Sequence, residues 1–227
     1  MFAGIASRYD LLNHVLSGNI DKRWRRILAE KLFATLPDVG TGRVTFLDVA
    51  CGTGDLSFQL HQGQPGKVIG IDFCRPMLQI AKSKARAQQI ELPFVEGDAL
   101  NLPFADGSFT AVTIAFGLRN LSSVEGGFKE LFRVLKPGGR IAVLEFSKPV
   151  VPVLRSTFKF YFAKILPFLG GLMSGSRSAY EYLPDSVQHF PDQAELAALM
   201  NDSGFVEVSF ENLTGGIAAL HFGTRPR

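Results

Sequence analysis

Apolar residues recur at helical spacing through residues 8–36: Leu11, Leu12, Val15 and Leu16, then Trp24, Ile27, Leu28 and Leu32, with basic residues between them. That period predicts a helical cap, residues 1–40, ahead of the domain proper. From Val44 the pattern changes to short apolar runs separated by helical stretches. It predicts strand 44–49, a helix from Asp55, strand 67–72, helix 76–88, strands 93–96 and 109–116, helix 123–135 and strand 140–147. Strands alternating with helices build βαβ units, and so a parallel sheet with helices on both faces.

Breakers fall where these elements need them. Pro76 occupies a first helical turn, where a missing N–H is tolerated, and Pro137-Gly138-Gly139 stops the helix ending at Leu135 and turns the chain into the next strand. Past Pro149 the pattern lapses into an irregular stretch, 150–190, rich in aromatics and glycine. Helix 192–202 and strands 205–211 and 217–223 close the chain. There is no repeat and no second apolar pattern, so 1–227 reads as a single α/β domain.

Composition narrows the partners. Lys and Arg number 24 against 21 Asp and Glu, and a balance of +3 without a basic cluster predicts no nucleic-acid partner. Two cysteines, Cys51 and Cys74, cannot staple a secreted fold of this length, which predicts a reducing, cytoplasmic setting. The first ten residues lack the basic and apolar regions of a signal peptide, and no apolar window is long enough to cross a bilayer. His14, His61, His189 and His221 have no ligand spacing, so no metal is expected.

The chemistry is carried by "FLDVACGTGDLSF", residues 46–58. Gly52 and Gly54 allow a sharp turn and a close ligand approach at the start of a helix. A dinucleotide loop would need a third glycine where Ser57 stands, and a phosphate loop a Lys after its last glycine, where Asp55 stands. Asp48, four residues before Gly52, suits a cationic ligand better than a pyrophosphate, which favours a sulfonium amino acid. Asp72 ends the second strand and can accept two ribose hydroxyls. Asp98 follows the third strand and can take an adenine amino group, with the Ala99 N–H available to a ring nitrogen. A single Asp at a strand end is often only a cap or turn residue; three in succession weaken that reading. Cys51 reads as a small apolar filler.

"LDVACGTGDL", "GIDFCRPML", "EGDALNLPFADGSF", "AFGLRN", "RVLKPGGRIAVLEFSKP" and "NLTGGIAALHFG" together resemble the UbiE/MenG family of class I S-adenosylmethionine-dependent methyltransferases, of the demethylmenaquinone methyltransferase type. The family C-methylates prenylated quinols in menaquinone and ubiquinone biosynthesis. The likeness covers essentially the whole chain. It implies a Rossmann-like, seven-stranded, mostly parallel sheet with a terminal antiparallel strand, and S-adenosylmethionine held at Thr53, Asp72, Asp98 and Ala99. A serine common in the family before "FGLRN" is Ala115 here, which removes one hydroxyl contact. Family members usually carry a short extension before the Met that begins this chain, so the resemblance implies a trimmed or misassigned start.

The expected acceptor is demethylmenaquinol, with the benzoquinol of ubiquinone synthesis as the alternative; another lipophilic acceptor or a non-catalytic binding module fits the motifs less well. Ionising a phenol of pKa near 10 at pH 7 costs about 4 kcal/mol. Arg119, directly after the fourth strand, is expected to set a cation where the phenolate forms, with a surface ion pair as the alternative. Phe116 and Asn120 from the same motif are assigned to the acceptor. Tyr9, Asp10, Tyr180 and His189 are candidate proton acceptors or acceptor contacts. Residues 150–183, where Phe158, Phe160 and Phe162 alternate with Arg155, Lys159 and Lys164, predict a mobile lid that also meets anionic membrane, at the inner face of the plasma membrane. A homodimer is left open.

Overall fold

A computed structural model of the chain describes residues 17–36, 43–63, 66–152, 154–155 and 186–227. Helix α1 (Ile20–Ala34) precedes β1 (Val44–Val49), α2 (Asp55–Gly63), β2 (Gly66–Asp72), α3 (Arg75–Ala87) and β3 (Phe94–Glu96). Then come β4 (Phe109–Ala115), α4 (Val124–Val134), β5 (Leu135–Phe146), α5 (Gln193–Asp202), β6 (Val206–Leu213) and β7 (Ala218–Thr224). The seven strands form one sheet in the order β3-β2-β1-β4-β5-β7-β6. Pairing is parallel from β3 to β5, and β7 runs against both its neighbours.

Period-two alternation splits the sheet's side chains between two cores. Phe46 of β1, Ala111 of β4, and Ala142 and Leu144 of β5 face α1, α2 and α3. Leu47 and Val49, Val112 and Ile114, and Ile141 and Val143 face α4 and α5 on the other side. Strands buried on both faces need near-continuous apolar runs, and "VTFLDV" and "FTAVTIA" supply them. Each large sealed side chain, such as Phe46 or Phe128, contributes about 1.5–3 kcal/mol of burial.

Two boundaries differ from the sequence pattern. The first helix is not continuous from residue 8 to residue 36: Ser17 to Asn19 form a turn in which Gly18 and Asn19 have φ of +61° and +63°. Two successive left-handed residues cannot continue an α-helix. The part of that expected helix before Ser17 lies outside the described residues. Strand β5 begins at Leu135, directly after α4, rather than at residue 140. Phe109 pairs with Leu135 and Ala111 with Arg140, so residues 136–139 bulge out of the ladder. The proline of this bulge has no N–H to pair, and Gly138 takes a φ of +76°.

The strand order positions the site. From β1 the chain builds outward to β3, then returns to lay β4 on β1's other side. The loops after β1 and β4 therefore diverge, and a crevice opens outside the strand ends at this switch point.

Candidate active site

The loop after β1 folds back on the end of β2. Cys51 N–H donates to the Ile71 carbonyl at 3.0 Å, and Gly54 N–H to that of Cys51 at 2.9 Å. Asp72 fixes the turn, accepting from Gly52 N–H and Cys74 N–H through its two oxygens at 2.8 Å each. Gly52 has a φ of +56°, and a Cβ there would meet nothing within 4 Å, so open space lies above this turn. Gly54 is glycine for another reason. Its φ is +87°, and a Cβ would stand 2.8 Å from the Phe94 ring.

Asp48 lies beneath this loop, on the side of the sheet covered by α1 and α2. It is 1 % exposed and accepts from the Ser57 hydroxyl at 2.6 Å and the Thr113 hydroxyl at 2.9 Å. Burial pushes its pKa from an ordinary 3.8 up to about 6, against the pull of these two hydroxyls and of the Arg25 charge. Burial also raises Asp72, with the Cys74, Gly52 and Phe73 N–H groups opposing it. Burial and the two nearby carboxylates push the Cys51 thiol well above its usual range, which fits a filler and not a nucleophile.

After β3, Asp98 turns its loop by accepting from Leu100 N–H at 2.9 Å. Arg133 secures the far side of that loop, donating to the Leu102 and Phe104 carbonyls, while Glu130 accepts from Leu102 N–H. After β4, Phe116 has a φ of +58°, a strained conformation for an aromatic residue. It is held there by its N–H bond to the Leu144 carbonyl and by Arg119 Nη1, which donates to the Phe116 carbonyl at 2.7 Å. Trp24 and Phe146 pack around its ring, with centroids 6.1 and 4.9 Å away. Trp24 in turn donates to the Thr214 hydroxyl at 3.0 Å, tying α1 to the β6–β7 turn.

These loops and α1 enclose a cavity of about 390 Å³, within the usual range for small-molecule sites. Of the residues marked out by sequence, Asp48, Gly52, Thr53, Asp72, Asp98, Ala99, Ala115, Phe116 and Asn120 lie on its wall. Gly54 shapes the turn from behind the wall. Ala115 brings only a methyl group to the wall and no hydroxyl.

Arg119 departs from expectation. Its guanidinium is not on the cavity wall but paired with Glu145 at 2.7 Å, the two side chains being 6 % and 1 % exposed. It is neither a free cation at the rim nor a surface ion pair, because β5 sets a buried carboxylate beside the loop that carries it. His189 is exposed and stands off the wall. Tyr9, Asp10 and Tyr180 lie outside the described residues, as does most of the expected lid.

Phe73 and Arg25 are among the wall residues that the sequence reading does not mark out. Phe73, next to Asp72, is 62 % exposed and offers an apolar ring beside the carboxylate. Its signal was its place directly after a strand-end acid. Arg25 reaches the cavity from α1, and "RWRR" gave no sign of which basic residue would turn inward.

Carboxylates at the ends of β1 and β2, another after β3 and an open glycine turn form a donor set suited to a cationic nucleoside with hydroxyls to satisfy. The family model for ubiE/COQ5 methyltransferases matches residues 1–225. The chain belongs to the ubiE/COQ5 methyltransferase family. It is 50 % identical to a demethylmenaquinone methyltransferase of Thermus thermophilus, over the full length of both chains. A ubiquinone/menaquinone biosynthesis C-methyltransferase UbiE of a Geobacter species is 44 % identical, over 99 % of this chain and 94 % of that protein. Among solved structures, an S-adenosylmethionine-dependent methyltransferase of Thermotoga maritima superposes with a TM-score of 0.67 at 20 % identity, covering 99 % of this chain and 97 % of that one. That likeness establishes the fold: the sheet is that of the class I methyltransferases. As a family member, the chain is a methyltransferase whose methyl donor is S-adenosylmethionine.

Proposed function

We propose that this methyltransferase places a methyl group on a ring carbon of demethylmenaquinol, giving menaquinol. The observation that carries this reading is one cavity with acids toward the β2 and β3 ends and an aromatic wall, Phe116 backed by Trp24 and Phe146, at the β4 end. The β3 and β4 ends are three strand spacings apart, about 14 Å, enough for a nucleoside amino acid laid across the sheet edge. S-Adenosylmethionine supplies an electrophilic methyl group on its sulfonium. The chain's residues supply position and charge.

Asp72 takes the ribose hydroxyls while its backbone bonds keep the glycine turn closed, and Asp98 and the Ala99 N–H receive the adenine edge. Thr53 is set by Lys84, whose ammonium also reaches Asp55 at 2.9 Å. Phe116 orients the acceptor ring, and Arg119 acts on it indirectly, by clamping the strained Phe116 carbonyl. Asn120 completes the acceptor side. Alignment of the attacking carbon with the methyl group is the larger part of such a displacement. Tyr9, Asp10 and Tyr180 are the candidates for the group that accepts the quinol proton.

A second acceptor, the benzoquinol of ubiquinone synthesis, is favoured by the name of the Geobacter relative. Residues 150–183 are proposed as the acceptor's route from a bilayer; Val150 and Val151, at the base of that segment, are exposed. Among the described residues no helix is long and apolar enough to cross a membrane. Purified protein incubated with S-adenosylmethionine and each reduced quinone, followed by mass spectrometry, tests the reading. One methyl mass is expected on the naphthoquinol. No cofactor-dependent gain on either quinol would overturn it.

A further inference from the structure

The cavity wall carries four carboxylates, those of Asp48, Asp55, Asp72 and Asp98; among the described wall residues, Arg25 alone is permanently cationic. Arg25 comes from α1, not from a strand end. Its guanidinium carbon lies 5.2 Å from the centroid of the Phe116 ring, and its Nη1 donates to Asp21 at 2.5 Å. Asp21 is itself buried and receives the Ser17 hydroxyl at 2.7 Å. One edge of the guanidinium fork is thus fixed, and the side chain is only 12 % exposed. Among the described residues its other N–H groups meet no hydrogen-bond acceptor. Its charge is near enough to Asp48 to pull on that carboxylate.

The position is informative. Asp72 and Asp98 mark the nucleoside end of the cavity, on β2 and β3. Asp48 and Phe116 mark the other end, on β1 and β4, and Arg25 covers that end. What lies there, beyond a nucleoside, is an amino acid with one ammonium and one carboxylate. A carboxylate entering a cavity already lined by four others is repelled unless a cation waits for it. A planar guanidinium fixed along one edge presents paired N–H groups that match two carboxylate oxygens, whereas a quinol oxygen could use only one.

We propose that Arg25 binds the carboxylate of the cofactor's methionine moiety, with Asp21 orienting the guanidinium, so that α1 is part of the cofactor site and not only a cap. This inference rests on the S-adenosylmethionine reading above. Calorimetry with two nucleosides separates the two: S-adenosylhomocysteine carries the carboxylate, and methylthioadenosine lacks the whole amino acid. Arg25→Ala is expected to weaken S-adenosylhomocysteine by about 10- to 100-fold, the loss of a charge-assisted contact. Methylthioadenosine should bind the variant as it binds the wild type, within about twofold, which also reports that the fold is intact. Arg25→Lys should recover part of the loss. If Arg25→Ala fails to fold once the buried Asp21 carboxylate loses this guanidinium, Arg25→Ala/Asp21→Ala removes both charges and should show the same selectivity.

Equal weakening of both ligands, or unchanged S-adenosylhomocysteine binding, overturns the assignment. Unchanged S-adenosylhomocysteine binding with a raised KM for the quinol would move Arg25 to the acceptor. If the wild type binds neither nucleoside, the cofactor reading itself fails and takes the inference with it.

Discussion

Asp48→Asn should make the protein more stable at neutral pH, and the gain should grow with pH in a defined window. The Asp48 carboxyl has an ordinary pKa of 3.8 when unfolded and about 6 in the folded chain, raised chiefly by burial. Between those values the folded state holds more protons than the unfolded one, so this group's contribution to stability falls as pH rises from about 4 to about 6. The displacement of about two units corresponds to roughly 3 kcal/mol, lost in full above the folded pKa. Asparagine fills the same space and can still pair with the Ser57 and Thr113 hydroxyls, with an offset of about 1 kcal/mol at every pH for altered hydrogen bonding. The readout is therefore the slope and not the offset. Denaturant unfolding of both proteins from about pH 4 to pH 7 should give a stability difference, variant minus wild type, that climbs by roughly 3 kcal/mol and then levels off. Parallel pH curves would mean that Asp48 ionises as easily in the folded chain as in the unfolded one, and the account of its burial would be wrong.

Binding should follow the same group: a cationic cofactor favours the ionised carboxylate, so wild-type affinity should rise through about pH 6 while that of Asp48→Asn stays flat, as calorimetry across pH would reveal. Asp72→Ala should weaken S-adenosylmethionine by about 1.5–3 kcal/mol per lost charge-assisted bond, with more lost than in Asp72→Asn because the Gly52 turn is freed as well. A folded Asp72→Ala with the wild-type dissociation constant would remove Asp72 from the site. Glu145→Gln strands the Arg119 guanidinium in a buried place and should cost about 3–5 kcal/mol in thermal or denaturant unfolding. Arg119→Met/Glu145→Leu should regain most of that, and a loss of only a few tenths for Glu145→Gln would show that water reaches the pair. Gly54→Ala forces a left-handed alanine against Phe94 and should cost more than about 1–2 kcal/mol while loosening the cofactor turn; a variant as stable as wild type would contradict the φ assigned there.

The cavity wall at the β1, β2 and β3 ends was legible because its residues are local to strand ends. Gly52, Asp72 and Asp98 each end or follow a strand that the apolar pattern places, and a parallel sheet gathers those ends on one edge without further information. The rest of the cavity's surroundings depends on pairings between distant parts of the chain. Arg119 follows β4 as expected, yet its partner Glu145 lies 26 residues on, at the end of the neighbouring strand. Arg25 is one of several basic residues on an amphipathic helix, and only the docking of Trp24 and Leu28 onto the sheet decides which of them faces the cavity. The turn before α1 is hidden in the sequence for a local reason: Gly18-Asn19 is turn chemistry set inside an apolar period that continues in the sequence on both sides of it.

Where the transferred methyl group ends up tests the central claim most directly. Wild-type protein given S-adenosylmethionine with an isotopically labelled methyl group and reduced demethylated naphthoquinone should yield a product whose label appears by NMR as a methyl on the quinol ring carbon. Label found as a methoxy group on oxygen, or no label in the quinone at all, would contradict the assignment of this site to quinol C-methylation.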